Sequence, residues 1–209
     1  EKLKLKAAVS ESYAGERIET VFPHLQSNFD KHRFCSRVEL LQVLGKARDP
    51  VAIFSAARHG ASASFVKEVV DVVEGPVRIV DLSADFRYPN AAAYEEVYKQ
   101  EHGAPDLMSD FTSALPEHLG ETPKHVGHPG CFATALLLSI VPLLKLGIIS
   151  SEVFAIGVTG STGSGREPKP TTHHPLRQSN LFAYNPLHHR HVPEVVSISK
   201  RLTGVKPKL

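Results

Sequence analysis

The sequence is poor in cysteine and has no apolar run long enough to cross a membrane. Two cysteines, Cys35 and Cys131, cannot build a disulfide framework, which indicates an intracellular, cytoplasmic protein. The longest apolar run, 131–144, covers about 14 residues and contains Pro142, whereas a membrane span needs roughly 20. This run therefore predicts a buried helix, and no membrane partner is expected.

The sequence also lacks the features of nucleic-acid-binding and metal-binding proteins. Its 24 Lys and Arg residues are interleaved with 22 Asp and Glu residues, and no basic stripe with interspersed aromatic residues is present. No HExxH or CxxC motif occurs, so no metal is expected although His173 and His174 are adjacent. We therefore expect a globular protein without a nucleic-acid partner.

The pattern of apolar residues predicts an α/β protein. Apolar strands at 51–55 and 77–80 flank a helix at 62–75, and this βαβ spacing favours a parallel sheet. We expect an incomplete Rossmann-like parallel-sheet domain over 1–127, followed by part of an α+β catalytic domain over 128–209. Further elements are predicted as helices at 38–46 and 91–101 and as strands at 3–9 and 152–159.

Cys131 follows a Pro–Gly turn directly, at the predicted start of the apolar helix. A helix N-terminus favours a thiolate through its macrodipole and its free backbone N–H groups. The same N–H groups could hold the oxyanion that forms when a carbonyl is attacked. A free cysteine is also commonly a small buried hydrophobe. The helix start alone leaves catalysis and packing open.

A histidine-rich segment at 188–191 supplies possible partners for a nucleophilic cysteine. On an extended segment, His189 and His191 would lie on the same side, with Arg190 turned away. A polar loop that happens to be rich in histidine is one alternative interpretation. Metal binding together with His173 is another.

Two polar loops that follow predicted strands are candidate ligand sites. The loop TGSTGSGR at 159–166 could place backbone amides against phosphate, although Arg166 excludes a P-loop. The loop after the strand at 77–80 contains Ser83, Asp85 and Arg87, and open α/β sheets bind ligands beyond the carboxyl ends of their strands. Asp85 and Arg87 could instead form a local ion pair that holds this loop.

Eight short segments together carry a family resemblance. They are, in order, ESYAGE, HGAS, VDLSADFR, YEEVYKQEHGAP, ALPE, VGHPGCFATALLLSIVPLL, TGSTGSGR and HRHVPE. They span nearly the whole chain, which resembles the N-acetyl-gamma-glutamyl-phosphate reductase family of the semialdehyde dehydrogenase group. The resemblance implies NADP-dependent reduction of N-acetyl-glutamyl 5-phosphate to N-acetyl-glutamate 5-semialdehyde in arginine biosynthesis. The alternatives are another semialdehyde dehydrogenase, such as aspartate-semialdehyde dehydrogenase, and a cofactor-free Cys-His hydrolase.

The resemblance also implies roles for individual residues. Cys131 would attack the acyl phosphate and release phosphate, and hydride from NADPH would reduce the resulting thioester. His191 is expected to be the acid-base and His189 a substrate contact, although the two could exchange roles. A homo-oligomer is expected. The remaining implied contacts are Arg87, Arg190 and Ser83 for the substrate, and Gly160, Ser161, Gly163, Gly165, His59 and Gly60 for the cofactor.

The chain departs from the family pattern at identifiable places. His128 stands where the family has asparagine before PGC, which predicts a different anchoring of the cysteine loop. Arg58 replaces a proline in the segment AARHG. The family opens with a dinucleotide-binding turn of the form GxGxxG or GxxGxxG, and none occurs near the start of this chain; the one GxxGxxG lies at 157–163. We therefore expect the chain to be part of a longer protein, with a βα unit before Glu1 and further elements after Leu209.

Overall fold

The computed structural model describes residues 3–29, 31–165 and 167–209. Its strands are Ala8–Val9 (β1), Phe34–Cys35 (β2), Val51–Ser55 (β3), Val77–Asp81 (β4), Phe111–Ser113 (β5) and His125–Gly127 (β6). Its α-helices are Ile18–Val21 (α1), Gln26–Phe29 (α2), Arg37–Leu44 (α3), Ser62–Val72 (α4), Ala91–Tyr98 (α5), Cys131–Lys145 (α6), His174–Arg177 (α7) and Val192–Thr203 (α8). Short 3-10 turns lie at Pro23–Leu25, Pro105–Asp110, Pro116–His118, Ser161–Ser164 and Pro170–Thr172.

The predicted α/β organisation with parallel strands is confirmed. Strands β3, β4, β6 and β5 form one sheet in that order, and all its neighbours are parallel. β1 and β2 form a separate parallel pair. In the larger sheet, Asp81 lies opposite both Ser55 and Gly127, and Gly127 also lies opposite Ser113. The carboxyl ends of the four strands therefore form one row, and the loops that follow them meet at this edge.

The apolar side chains form two buried clusters. One lies around the sheet, α3 and α4, where Val66 and Val69 are completely enclosed. The other joins α6 to α8, with Leu137 and Val195 at its centre. Leu115, which precedes the predicted boundary at residue 128, packs in the second cluster. The division into domains at 1–127 and 128–209 stays a prediction.

The apolar run that begins at Cys131 is helical, as predicted. α6 continues past Pro142 to Lys145 and buries one face that includes Ala133 and Val141. Among the described residues, no helix is long and apolar enough to traverse a bilayer. The helix body instead fixes its own N-terminus by packing against α8.

The predicted strand at 152–159 is wrong. A strand requires a hydrogen-bonded neighbour, and the only backbone ladder contact here among the described residues is an isolated bridge between Glu152 and Lys208. Phe154 is 98% exposed and Ile156 is 97% exposed. The alternation of apolar residues is present in this segment, but no partner strand covers it.

Other predicted boundaries also differ, and the helices expected to reach residues 46 and 75 end at Leu44 and Val72. The expected strand at 3–9 is reduced to Ala8 and Val9, because only these residues pair with β2. The helix expected to reach residue 101 ends at Tyr98, because Lys99 adopts a left-handed conformation with φ of 55° and terminates it.

Candidate active site

Cys131 is the first residue of α6, and Gly130 is the N-cap residue. The cysteine is exposed, so it is not a packed core residue. The buried face of α6, which includes Leu137 and Val141, holds the helix start in place. The thiol therefore stands on a rigid element, at the end where backbone N–H groups are free to stabilise negative charge.

His191 lies against the backbone of the cysteine loop. It is the N-cap residue of α8, is 6% exposed, and its ring occupies the space that a Cβ at Gly130 would need. Burial, together with the neighbouring His189 and Arg87, lowers the pKa of His191 to about 3. The ring is therefore neutral near pH 7 and can accept a proton.

His189 lies beside His191 and also contacts the residue after the cysteine. The two imidazole centroids are 4.7 Å apart, and the His189 ring meets Phe132 edge-on at 5.2 Å. Its Nδ1 accepts a hydrogen bond from the His191 backbone N–H at 3.2 Å. The rings come together on a turn rather than on the predicted extended segment, because Val192 N–H donates to the His189 carbonyl.

Tyr184 completes this aromatic group on the exposed side. Its hydroxyl lies 3.4 Å from His189 Nε2, and its ring centroid is 6.4 Å from that of Phe132. Partial burial, followed by the charge of Cys131, raises the pKa of Tyr184. The described residues thus place two histidines and a tyrosine around the start of α6.

Arg87 and Glu194 form a buried ion pair behind the cysteine loop. Arg87 Nη1 lies 3.3 Å from Glu194 Oε1, and the two side chains are 6% and 0% exposed. Arg87 Nε donates to the His128 carbonyl at 2.7 Å, and its other terminal nitrogen donates to the Leu82 carbonyl at 2.8 Å. The guanidinium predicted to bind substrate is thus hydrogen-bonded within the protein.

His128 is held mainly through its backbone. Its N–H donates to the Asp81 carbonyl at 2.7 Å, and its own carbonyl accepts from Arg87. The ring turns to the Pro129 carbonyl oxygen, 2.9 Å from Nδ1. The residue that departs from the family pattern therefore joins the strand end to the cysteine loop.

The loop after β4 is an internal hydrogen-bonded structure. Ser83 is 1% exposed, donates to Asp81 Oδ2 at 2.6 Å and accepts from Asp85 N–H at 3.0 Å. Asp85 accepts from the backbone N–H groups of Gly60 and Ala63, at 2.8 and 3.0 Å. The suggested ion pair between Asp85 and Arg87 is wrong, because Asp85 caps α4 and the arginine pairs with α8.

The contacts of Asp85 determine whether the start of α4, with the expected cofactor residues His59 and Gly60, can bind a dinucleotide. The N-terminus of α4, where a pyrophosphate could bind, is occupied by the Asp85 carboxylate. His59 Nδ1 accepts from Ala84 N–H at 2.9 Å, and a Cβ at Gly60 would overlap Gln100. His59 and Gly60 therefore do not form a free phosphate site.

The glycine-rich loop that begins at residue 159 lies on the surface. Residues Ser161–Ser164 form a 3-10 turn, and Gly165 has φ of 90°, which only glycine adopts without strain. An open cleft there is lined by residues that include Thr162 and His174 but not Cys131 or His191. Arg166 lies outside the described residues.

Arg190 differs from Arg87 in its surroundings. It is exposed, its guanidinium lies 5.9 Å from the centroid of the Tyr98 ring, and no ion pair to it is found among the described residues. Its carbonyl accepts from the Tyr88 hydroxyl at 3.4 Å. No group of three or more His, Cys, Asp or Glu side chains within the described ranges could hold a metal ion.

Sequence reasoning missed Glu194 and Tyr184. The burial of Glu194 could have been predicted from the sequence. It lies four residues before Ile198 and therefore on the apolar face of an amphipathic helix. A charge at such a position requires a buried partner. Tyr184 carried no comparable signal, since it lies in an irregular segment where periodicity says nothing about direction.

The second part of the chain, which begins at the cysteine, is similar to a known domain family. Residues 131–209 match the family model described as the semialdehyde dehydrogenase dimerisation domain. The resemblance to N-acetyl-gamma-glutamyl-phosphate reductases is confirmed over nearly the whole chain. The enzyme of that name from Methanocaldococcus jannaschii is 33% identical over 210 residues, which cover 99% of this chain and 59% of the relative.

Other relatives carry the same name or a neighbouring one. The N-acetyl-gamma-glutamyl-phosphate reductase of Aquifex aeolicus is 32% identical over 99% of this chain and 58% of its own length. A protein of Aeropyrum pernix, named a putative [LysW]-L-2-aminoadipate/[LysW]-L-glutamate phosphate reductase, is 34% identical over 97% of this chain and 56% of its own. The chain thus spans less than two thirds of the length of these relatives.

Proposed function

We propose that the protein to which this chain belongs reduces N-acetyl-glutamyl 5-phosphate to N-acetyl-glutamate 5-semialdehyde and phosphate in arginine biosynthesis. The observation that supports this most is the exposed Cys131 at the start of α6, with the neutral His191 against the preceding glycine. The names of relatives that match 99% of the chain agree with it.

The proposed first step is attack of the Cys131 sulfur on the carbonyl carbon of the acyl phosphate. His191 takes the thiol proton, a carbon–sulfur bond forms, and the bond from carbon to the phosphate oxygen breaks. The amides at the start of α6 stabilise the oxyanion of the tetrahedral intermediate. His191 passes the thiol proton to the departing phosphate oxygen, so the products are a Cys131 thioester and inorganic phosphate, and the ring is neutral again.

We propose Arg190 as the side chain that attracts the anionic substrate. It is exposed beside His189, whereas the three hydrogen bonds of Arg87 are internal. Arginine matches the geometry of carboxylate and phosphate groups. His189, on the outer side of His191, is the second proposed substrate contact.

We propose NADP as the nicotinamide cofactor, which supplies hydride to the thioester when it is bound. The similarity to semialdehyde dehydrogenases supports a nicotinamide cofactor in general. Within this chain, the loop with Gly160, Ser161, Gly163 and Gly165 is the proposed contact, because its backbone is exposed. The N-terminus of α4 is not proposed, since Asp85 occupies it.

A second candidate is reduction of the corresponding 2-aminoadipate phosphate. It is favoured by relatives named for [LysW]-L-2-aminoadipate, with identities of 31–34%. The acyl phosphate and the cysteine chemistry are the same, but LysW takes the place of the acetyl group and 2-aminoadipate is longer than glutamate by one methylene group. The two candidates therefore differ in the substrate pocket and not in the roles of Cys131 and His191.

The function is tested by phosphate-dependent reduction of NADP in the reverse direction. The full-length protein is assayed with N-acetylglutamate semialdehyde and with the longer semialdehyde of [LysW]-linked 2-aminoadipate. We expect kcat/KM to be at least about 10-fold higher for the glutamate compound, the usual effect of one methylene group. Faster reaction of the longer aldehyde would select the second candidate. Absence of phosphate-dependent NADP reduction, with hydrolysis of N-acetyl-glutamyl 5-phosphate to the free acid and phosphate in the absence of NADPH, would contradict both.

The two histidines are expected to differ in kinetic effect. His191→Asn removes the proton acceptor beside the cysteine loop, and kcat should fall by about 10²–10⁴-fold. His189→Asn should mainly raise KM, because the ring lies outside His191 and beside Phe132. Steady-state kinetics of both variants measure this, with the exposed His188→Asn as the matched control. The reverse pattern would exchange the two roles.

We propose that the exposed segment at 152–159 is covered by a second copy of the chain. Phe154, Ile156 and Val158 alternate along it and are 98%, 97% and 77% exposed. Exposed apolar clusters mark interaction sites, and the segment lies inside the part that matches a dimerisation domain. The proposed homo-oligomer therefore includes this segment in its interface.

Sedimentation velocity tests this surface. The wild-type protein is expected to sediment as an oligomer, and the double variant Phe154→Asp/Ile156→Asp as a folded monomer, because two charges would be buried in the interface. Val38→Asp, at an apolar position that is 64% exposed outside the segment, is the matched control. A wild-type monomer, or a double variant with an unchanged oligomeric state, would contradict this interface.

A further inference from the structure

The carboxylate of Glu194 holds the peptide group that precedes the cysteine. Its Oε2 accepts a hydrogen bond from the Gly130 N–H at 2.9 Å, and its Oε1 receives one from Arg87 at 3.3 Å. Glu194 is 1% exposed, so it has no access to substrate. Because Cys131 follows Gly130, the N–H that Glu194 orders is next to the nucleophile.

Arg87 fixes the other end of the same turn. Its Nε donates to the His128 carbonyl at 2.7 Å, while Glu194 binds the amide two residues later. The turn His128–Gly130 is therefore held at a carbonyl and at an amide by one ion pair. This pair connects the loop after β4 to α8, and the turn lies between them.

An ionised carboxylate is suited to this position because both of its neighbours are donors. A guanidinium and a backbone N–H each require an acceptor, and a carboxylate offers one oxygen to each. A glutamine side chain of the same shape has only one oxygen, and its NH₂ group would face a donor. The carboxylate charge of Glu194, and not only its volume, is therefore needed to bind both donors.

The position of the turn has a consequence for the thiol. The His191 ring packs on Gly130 where a Cβ would stand, so rotation of this peptide changes the distance between imidazole and sulfur. It also changes the direction of the first amides of α6 relative to the sulfur. We propose that Glu194 is a positioning residue, which orients the Cys131 thiol toward His191 and the helix N-terminus by holding the Gly130 amide. Its effect on turnover rests on the function proposed above.

A merely structural ion pair would stabilise the fold without affecting the reactivity of the thiol. The test is therefore the rate of Cys131 alkylation by iodoacetamide as a function of pH, with peptide mapping to exclude Cys35. His189, Arg190, His191 and Tyr184 are unchanged in the variants. Glu194→Gln also removes a negative charge beside Arg87, which by itself lowers the pH of half-maximal alkylation, so a rise reports the lost orientation. The variants are Glu194→Gln and Glu194→Asp, with Ser199→Ala as a buried control on the same helix.

We expect Glu194→Gln to raise the pH of half-maximal alkylation by about one unit, since the helix amides would no longer face the sulfur. We also expect kcat to fall by about 10²-fold with little change in KM, as for a misplaced reacting group. Glu194→Asp, which keeps the charge but is too short to bind both partners, should change both in the same direction. Ser199→Ala should leave the alkylation profile unchanged.

A wild-type alkylation profile in folded Glu194→Gln would overturn the proposal and leave a structural ion pair. Should the glutamine variant not fold, the same result in Glu194→Asp would overturn it. Alkylation requires no substrate, so this test is independent of the proposed reaction. A changed profile in a protein without phosphate-dependent turnover would support the positioning role and reject the proposed function.

Discussion

Replacing Cys131 with serine is expected to lower phosphate-dependent turnover by more than about 10³-fold, the usual cost of removing a catalytic nucleophile. A serine hydroxyl is nearly isosteric with the thiol, but it is not ionised near neutral pH, and His191, with a pKa of about 3, is too weak a base to activate it. The exposed position at the helix start means that the substitution removes no core packing. The fold should therefore be retained while the chemistry is lost.

Cys35→Ser is the matched control for this experiment. Cys35 lies in β2, in the separate pair of strands, and is also a free cysteine. Its substitution should leave kcat within about twofold of wild type, as for a polar change away from the site. Activity that persists in Cys131→Ser, or a similar loss in Cys35→Ser, would contradict the role given to Cys131.

Replacing Arg87 with leucine is expected to destabilise the protein by about 3–5 kcal/mol, because Glu194 would be left as an unpaired buried charge. A change of this size in a chain of this length should lower Tm by roughly 10 °C. The double variant Arg87→Leu/Glu194→Leu removes both charges and should recover much of the loss. Chemical denaturation of the three proteins measures the free energies of unfolding.

An exposed ion pair provides the control. Arg58 lies 2.7 Å from Glu167, and the two side chains are 87% and 75% exposed. Arg58→Leu should change the free energy of unfolding by less than about 1 kcal/mol, since surface pairs contribute little. If Arg87→Leu costs no more than Arg58→Leu, the buried pair does not hold the two parts of the chain together.

The parts of the fold that follow from local periodicity were predictable. Strands β3 and β4 and the helix between them are short apolar segments with turn residues at their ends, and their spacing determines a parallel pair. The segment at 152–159 has the same alternation but does not form a strand among the described residues. Periodicity reports which side chains need burial, but not whether a neighbouring strand is present.

The site was predictable where a single position carries its own chemistry. Cys131 follows Pro–Gly at the start of an apolar helix, so its location and exposure follow from local rules. The ion pair of Arg87 could not be predicted from local sequence rules, because its partner Glu194 lies 107 residues away along the chain. Local reasoning therefore left an ion pair between Asp85 and Arg87 as an alternative, whereas each of them binds a different helix.

Detection of an acyl-enzyme is the most direct test of the proposed thioester chemistry at Cys131. The full-length protein is mixed with N-acetyl-glutamyl 5-phosphate in the absence of reduced cofactor, and intact mass and peptide mapping are recorded together with released phosphate. We expect one N-acetyl-glutamyl group on Cys131 and an equal amount of phosphate, with no adduct in Cys131→Ser. Turnover without such an adduct, or an adduct on another residue, would contradict thioester catalysis by Cys131.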